Sequence, residues 1–213
     1  MDALETLKSV GAIITDDHIV YTKGGHGSVY INKDALYPHV RETNALCQLL
    51  AKQIEHLQPE VVAAPALGGI VLTQWVAHHL GATLGVPPLA IYADKSDQGL
   101  VFKRGYDQLI KGKRVVVLED IINTGGSVKN AVEVVRASGG EVIGVGVLVN
   151  RQPKLVTTDT FTAPLFALLD FPAEIFEAES CPLCVEGRPI NTTVGHGKKF
   201  LEKKNNKIKA LLY

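Results

Sequence analysis

Between residues 61 and 150 the hydrophobic period switches repeatedly between that of a buried strand and that of a helix, and this limits the fold more than any other feature. Val61-Val62-Ala63-Ala64 is apolar at every position, which suits a strand covered on both faces. Gly68-Gly69 interrupts it, and residues 70–80 return to helical spacing, predicting a helix that ends at Gly81. The cycle recurs with a strand over 89–92 and again with Arg114-Val115-Val116-Val117-Leu118, which leads through Thr124-Gly125-Gly126 into a helix over 127–138. Residues 141–149 read as a further strand, in which Gly144 and Gly146 leave room for a closely packed neighbour, and 164–169 as another. Ahead of them Leu46, Leu50, Ile54 and Leu57 line one face of a helix that ends near Gln58-Pro59. Such alternation predicts an α/β fold: a doubly wound parallel sheet of about five strands flanked by helices, with ligands at the carboxyl ends of the strands.

Both ends of the chain depart from this rhythm. Ile19-Val20-Tyr21 and Ser28-Val29-Tyr30-Ile31 flank Lys23-Gly24-Gly25-His26-Gly27 and predict a hairpin outside the main sheet. Residues 173–213 carry Cys181-Pro182-Leu183-Cys184, Gly195-His196-Gly197 and a basic, helix-like end. One domain over 1–213 is expected, with 41–172 as its core and 1–40 and 173–213 as a small hood and peripheral segments.

Charge narrows the partners. The 22 Lys plus Arg balance 22 Asp plus Glu, so no global excess serves a nucleic acid or an anionic membrane, and neither is expected as a partner. Locally, residues 101–115 gather Lys103, Arg104, Lys111, Lys113 and Arg114 against the single acid Asp107. Three cysteines are too few for a disulfide scaffold, the start MDALETLKSV lacks the pattern of a secretory signal, and no apolar stretch reaches eighteen residues, so a cytoplasmic location is expected. Cys181 and Cys184, even with His196 nearby, fall short of the four ligands of a structural zinc site; the expectation is a Pro-containing turn with its thiols packed inside. The remaining histidines show no metal spacing, and Lys198, Lys199, Lys203, Lys204, Lys207 and Lys209 read as a solvated helix face.

The chemistry concentrates after the strand at 114–118. Glu119-Asp120 ends it, and Ile121-Ile122-Asn123-Thr124-Gly125-Gly126-Ser127 leads into the helix. Two glycines let backbone approach a ligand, helix-start N–H groups favour an anion, and the Thr124 and Ser127 hydroxyls add donors: together, a cradle for a monophosphate. Glu119 and Asp120 are acceptors suited to a pair of vicinal hydroxyls, as a ribose presents. The loop has neither the lysine of a Walker motif nor a Gly-x-Gly-x-x-Gly pattern, which argues against NTPase and dinucleotide chemistry.

This strand, acid pair and Thr-Gly-Gly-Ser loop resemble the phosphoribosyl-diphosphate (PRPP) signature of type I phosphoribosyltransferases. The resemblance implies that Glu119 and Asp120 hold the ribose hydroxyls, and that Asn123, Thr124, Gly125, Gly126 and Ser127 hold the 5′-phosphate. Pro65-Ala66-Leu67-Gly68-Gly69-Ile70 is similar to the loop that presents backbone amides to the pyrophosphate, implying Ala66, Leu67 and Gly68 there. Two further segments resemble the orotate-using members. Lys23-Gly24-Gly25-His26-Gly27-Ser28-Val29-Tyr30-Ile31-Asn32 is similar to their base-side element, implying Lys23, Tyr30 and Ile31 around the base together with Thr124. Asn150-Arg151-Gln152 is similar to an Asp-Arg-Gln element whose Arg grips the orotate carboxylate, implying that role for Arg151. The family's mobile loop corresponds to 93–106, which implies Lys95, Lys103 and Arg104 as cations for the leaving pyrophosphate, Lys103 and Arg104 acting in catalysis beside Asp120. It also implies Mg²⁺ bridging substrate oxygens, with no metal ligand assigned to a protein side chain, and a homodimer. Transfer to a purine or other base, and a non-catalytic PRPP sensor of the same fold, stay open as alternatives.

Overall fold

The structure, a computed structural model, describes residues 2–97 and 99–211, without the side chains of Lys204, Asn205 and residues 207–211. Gln98, and the expectation of solvated lysines at 204, 207 and 209, lie outside the described part. In chain order the elements are α1 (Ala3–Ser9), β1 (Ile13–Ile14), β2 (Ile19–Val20), β3 (His26–Gly27), β4 (Tyr30–Ile31), α2 (Lys33–Leu36), α3 (Val40–Ile54), β5 (Val61–Pro65), α4 (Gly68–Leu84), β6 (Leu89–Ser96) and β7 (Gly99–Val101). They continue as α5 (Tyr106–Ile110), β8 (Arg114–Ile122), α6 (Gly126–Ala137), β9 (Glu141–Asn150), α7 (Thr158–Phe161), β10 (Leu165–Asp170), α8 (Pro182–Val185) and α9 (Gly197–Leu211). Two compact units share the chain: Lys33–Pro172 with residues 2–6, and Leu7–Asn32 with residues 173–211. No described helix is long and apolar enough to cross a membrane.

The first unit is built on a sheet ordered β10-β9-β8-β5-β6-β7. Five strands are parallel, as the alternation predicts; β7 adds a sixth, antiparallel to β6. From the central pair the chain progresses one way through β6 and the other way through β9 and β10, so β5 and β8 flank the switch point. At such a point the loops leaving two neighbouring strands diverge and open a crevice at their carboxyl ends. Here those are the turn after Pro65 and the loop after Ile122.

Strand alternation sorts the core. Val61, Ala63, Val115, Val117, Val145 and Val147 cluster with Val128, Ala131, Val132 and Val135 of α6. The opposite face meets α3 and the turn that follows it: a Cβ placed on Gly146 would lie 2.9 Å from Leu118 Cδ2 and 3.3 Å from Leu50 Cδ1, and one on Gly144 would lie 2.7 Å from Leu57 Cδ1. Those glycines make the room that the sequence predicts.

Several boundaries differ from expectation. The helix predicted to stop at Gly81 continues to Leu84 and is capped by Gly85, at φ 81° with its N–H on Gly81 O. Gly81 sits inside the helix, where a Cβ would lie 2.7 Å from Pro87. The third strand extends through both acids to Ile122. Residues 93–96 and 99–101, expected as a loop, belong to the paired strands β6 and β7, with Asp94 opposite Val101 and Ser96 opposite Gly99. At the N-terminus, Ile19–Val20 pairs with His26–Gly27 rather than with residues 28–31, and Tyr30–Ile31 pairs with Ile13–Ile14. Tyr21 N–H donates to Gly25 O, closing a tighter turn than the glycine run suggests.

Gly69 brings α4 onto β5 so closely that a Cβ there would stand well inside contact distance of Ala64 Cβ. Gly69→Ala is expected to destabilise the protein by about 1–3 kcal/mol, the usual cost of overpacking. Urea unfolding measures it; an unchanged midpoint would show that α4 can move away without loss.

Candidate active site

β8 carries the site because it is buried on both faces and ends at the switch point. Near its carboxyl end, ahead of Ile121 and Ile122, stand two adjacent acids, and alternation sends their side chains to opposite sides of the sheet. Glu119 and Asp120 are only 7% and 3% exposed, so each carboxylate depends on its immediate neighbours.

Asp120 Oδ2 accepts a hydrogen bond from the Tyr37 hydroxyl at 2.9 Å and pairs with Lys33 Nζ at 3.1 Å. Asp120 Oδ1 accepts the Ile121 N–H at 2.8 Å. Partial burial works to lower the Lys33 ammonium's pKa, but the charge of Asp120, its hydrogen bond and Glu119 outweigh it and raise the value. Burial and the same two carboxylates push the Tyr37 phenol up, so its proton stays available to Asp120. Gly68 completes the pocket: any Cβ there would collide with Asp120 Oδ2 and lie 2.8 Å from the Tyr37 hydroxyl. The turn after β5 thus touches the acid on β8, and glycine is required for the contact.

Glu119 has different company. Its Oε1 accepts the Asp120 N–H at 3.2 Å, and the Ser127 hydroxyl hydrogen-bonds to it from the first turn of α6. Burial first, and the charge of Asp120 second, raise its pKa to about 7, against the smaller opposing effect of Ser127. Near neutral pH this carboxyl is divided between its two protonation states.

The loop that follows keeps Asn123, Thr124, Gly126 and Ser127 exposed, with Gly125 buried beneath them at φ 77°. That value lies in the left-handed region, which glycine reaches without strain. The first amides of α6 have no partner within the helix and face the anion-favouring end of its dipole. Arg151 is brought to the same loop: its N–H donates to Ile122 O and its Nη1 to Asn123 Oδ1, both at 2.9 Å. Asn150 is fixed as an amide, donating from Nδ2 to Val156 O while its Oδ1 accepts the Gln152 N–H. Across the crevice Leu67 is 81% exposed between Ala66 and Gly68, and the Ala66–Leu67 peptide is cis.

The other expected residues are placed elsewhere. Lys95 and Lys103 are exposed on and beside the β6–β7 hairpin. Arg104 forms an ion pair with Asp94 on that hairpin, and its guanidinium lies 5.5 Å over the Tyr92 ring, so its partners are local. Lys23, Tyr30 and Ile31 belong to the second unit: Lys23 is exposed in the β2–β3 turn, and the other two are half-buried on β4. Lys33 and Tyr37 are contacts that the sequence reading missed. They precede Asp120 by more than eighty residues in a short helix and its exit, with no motif linking them to the acid pair.

The arrangement offers an anion cradle, two carboxylate acceptors beside it and a second Gly-containing turn facing them. A sequence profile of the phosphoribosyl transferase domain matches residues 32–162. Orotate phosphoribosyltransferase of Caldanaerobacter subterraneus subsp. tengcongensis is 34% identical over 178 residues, 84% of this chain and 88% of that protein. The Thermus thermophilus protein of the same name is 34% identical over 190 residues, 89% and 98% of the two chains. Among solved structures, orotate phosphoribosyltransferase of Mycobacterium tuberculosis superposes with a TM-score of 0.62 at 21% identity, covering 80% of this chain and 96% of that one, a likeness of fold. Profile, relatives and fold agree: the chain belongs to the phosphoribosyl transferase family, with the orotate phosphoribosyltransferases as its relatives.

Proposed function

We propose that the chain transfers ribose 5-phosphate from PRPP to orotate, giving orotidine 5′-monophosphate and pyrophosphate. The bond from ribose C1 to the pyrophosphate oxygen breaks, and the orotate ring nitrogen forms the new bond and gives up its proton. The observation that carries the reading is the buried acid pair at the end of β8, one carboxylate to each side of the sheet, directly ahead of an exposed Gly-rich helix start. Positive charge develops on the ribose in the transition state and negative charge on the departing group, so catalysis is chiefly electrostatic placement.

In this reading Glu119 and Asp120 take the ribose hydroxyls, residues 123–127 the 5′-phosphate, and Ala66, Leu67 and Gly68 the pyrophosphate. Lys33 and Tyr37 act as positioning residues that fix the orientation of the Asp120 carboxylate. Arg151, with Asn123 orienting its guanidinium, takes the orotate carboxylate, since a planar fork matches a planar carboxylate. Thr124 and, from the family resemblance, Lys23, Tyr30 and Ile31 serve the base. Lys95, Lys103 and Arg104 meet the pyrophosphate; Arg104 must exchange Asp94 for it. That exchange is cheap, because an exposed ion pair contributes little.

Mg²⁺ fits as a companion of the pyrophosphate. Asp120 already spends both oxygens on protein donors, so the residues suit an ion that takes most of its ligands from substrate and water. Bound there it would neutralise the leaving group. A homodimer belongs to the same reading, on the strength of the family resemblance, and sedimentation of the full chain checks it.

Pyrophosphate release with PRPP and a panel of bases tests the reaction. Turnover is expected with orotate; guanine or xanthine turnover without orotate would overturn the acceptor, and PRPP binding without turnover on any base would overturn the enzyme. Arg151→Ala is expected to raise the KM for orotate roughly 10- to 100-fold, the weight of a charged hydrogen bond, with the KM for PRPP little changed. Asp120→Asn is expected to weaken PRPP binding at least about tenfold for the same reason; an unaltered affinity in calorimetry would count against the ribose assignment.

A pH profile separates Glu119 from its neighbour. Because its pKa is raised to about 7, the fraction ionised, and with it the power to accept from a ribose hydroxyl, grows as pH rises through neutrality. PRPP affinity is therefore expected to increase from pH 6 to pH 8 more steeply in the parent than in Glu119→Gln. The comparison cancels the titration of PRPP itself, and parallel profiles would remove Glu119 from the role.

A further inference from the structure

The second unit contains a cluster that transferase chemistry does not use. The β2–β3 hairpin presents two imidazoles, His18 just before β2 and His26 on β3, and the turn into α8 presents Cys181 and Cys184. His18, His26 and Cys181 are essentially inaccessible, while Cys184 reaches solvent. One donor atom from each converges on a single point, all four lying within 4.8 Å of one another. His18 Nε2 is 2.9 Å from His26 Nδ1, 3.7 Å from Cys181 Sγ and 3.6 Å from Cys184 Sγ, and Cys184 Sγ is 3.4 Å from His26 Nδ1.

A tetrahedral ion with bonds of about 2.0–2.1 Å to nitrogen and 2.3 Å to sulfur needs nitrogen–sulfur edges of roughly 3.5–3.6 Å. The three measured here, 3.4, 3.6 and 3.7 Å, bracket that value. The nitrogen–nitrogen edge is the short one, and insertion of an ion would open it by a few tenths of an ångström.

A second observation concerns the far side of His18. Its Nδ1 lies 2.7 Å from Arg188 O. A carbonyl oxygen only accepts, so the neutral ring carries its proton on Nδ1 and turns the lone pair of Nε2 toward the two sulfurs and His26. Metal-bound histidines are held in this way, with the non-ligating N–H on a carbonyl or carboxylate. The cysteine turn is preformed too: Cys184 N–H donates to Cys181 O, Gly187 N–H to Cys184 O, and Gly187 closes the turn at φ 69°. Thiols merely packed in a core, the expectation from sequence, need neither two imidazole nitrogens nor a fixed tautomer.

We infer that His18 Nε2, His26 Nδ1, Cys181 Sγ and Cys184 Sγ form a structural zinc site that ties the N-terminal hairpin to the chain around α8. A closed Cys₂His₂ set of nitrogen and sulfur donors selects zinc over the oxygen-seeking magnesium of the transfer reaction. The gain falls where it is needed. The strands of this unit are two residues long and its core is small, the condition under which domains rely on a metal. His196, the histidine nearest the cysteines in sequence, is not a ligand; its Nε2 is 3.1 Å from Thr22 Oγ1.

The test uses the full chain, made without a histidine tag and purified without chelator. Elemental analysis is expected to find about one zinc per chain, and Co²⁺ exchanged into the protein is expected to give thiolate-to-cobalt charge transfer with the strong visible bands of a tetrahedral site. Cys181→Ser and His18→Ala should lose most of both signals, and His196→Ala should keep them. Should the ligand variants fail to fold, a mercurial thiol reagent added to the parent protein must release its zinc to an indicator dye. Parent protein that carries less than about a tenth of an equivalent of zinc and gives no charge transfer with Co²⁺ overturns the proposal, as does zinc that stays bound after its thiols are blocked.

Discussion

A strand covered on both faces has no solvent side to which it can turn a charge, and β8 nevertheless carries two adjacent carboxylates near its carboxyl end. That conflict shapes the first unit. Alternation separates the acids onto opposite faces, and each face settles its own charge differently. Asp120 is met by an ammonium and a phenol; Glu119 has its pKa raised to about 7 by burial and by the charge of Asp120. The lysine on a short helix, the bare glycine opening α4 and the serine in the first turn of α6 are three consequences of one desolvated pair.

Much of this is legible in the amino-acid sequence. The parallel sheet, its flanking helices and the crevice at the end of β8 follow from apolar runs broken by glycines, because a strand buried twice cannot afford polar residues. The exposed Gly-containing loop from Asn123 to Ser127 was also legible, since it follows its strand and opens a helix; the hydrogen bond from Arg151 to Asn123 was not. Lys33 and Tyr37 were not: they reach Asp120 from more than eighty positions earlier in the chain, and nothing local in their segment records that. Element ends were misplaced for a related reason. Gly81 looks like a helix stop but serves close packing against Pro87, while the true cap is Gly85. The histidine–cysteine cluster was hidden most deeply, because its two halves are strangers in sequence and each half alone has a bland explanation.

The basic segment at 101–115 gains meaning from its surroundings. Arg104 is paired with Asp94 and stacked over Tyr92 on a surface hairpin, interactions weak enough in water to be surrendered to a polyphosphate. A balanced net charge and a locally cationic segment at 101–115 are therefore compatible: Arg104 is paired with Asp94, and Lys113 and Arg114 with Glu60.

The second unit draws its residues from both ends of the chain, which sets a timetable for synthesis. His18 and His26 leave the ribosome long before the cysteines that they meet. The 158 positions from His26 to Cys184 take roughly 8–30 s to translate at ordinary elongation rates. Meanwhile Lys33–Pro172, which lies wholly between the two halves, is complete and able to close its sheet. The hairpin with its paired imidazoles is made first and closed last, waiting for Cys181 and Cys184 until every residue of the other unit has been synthesised.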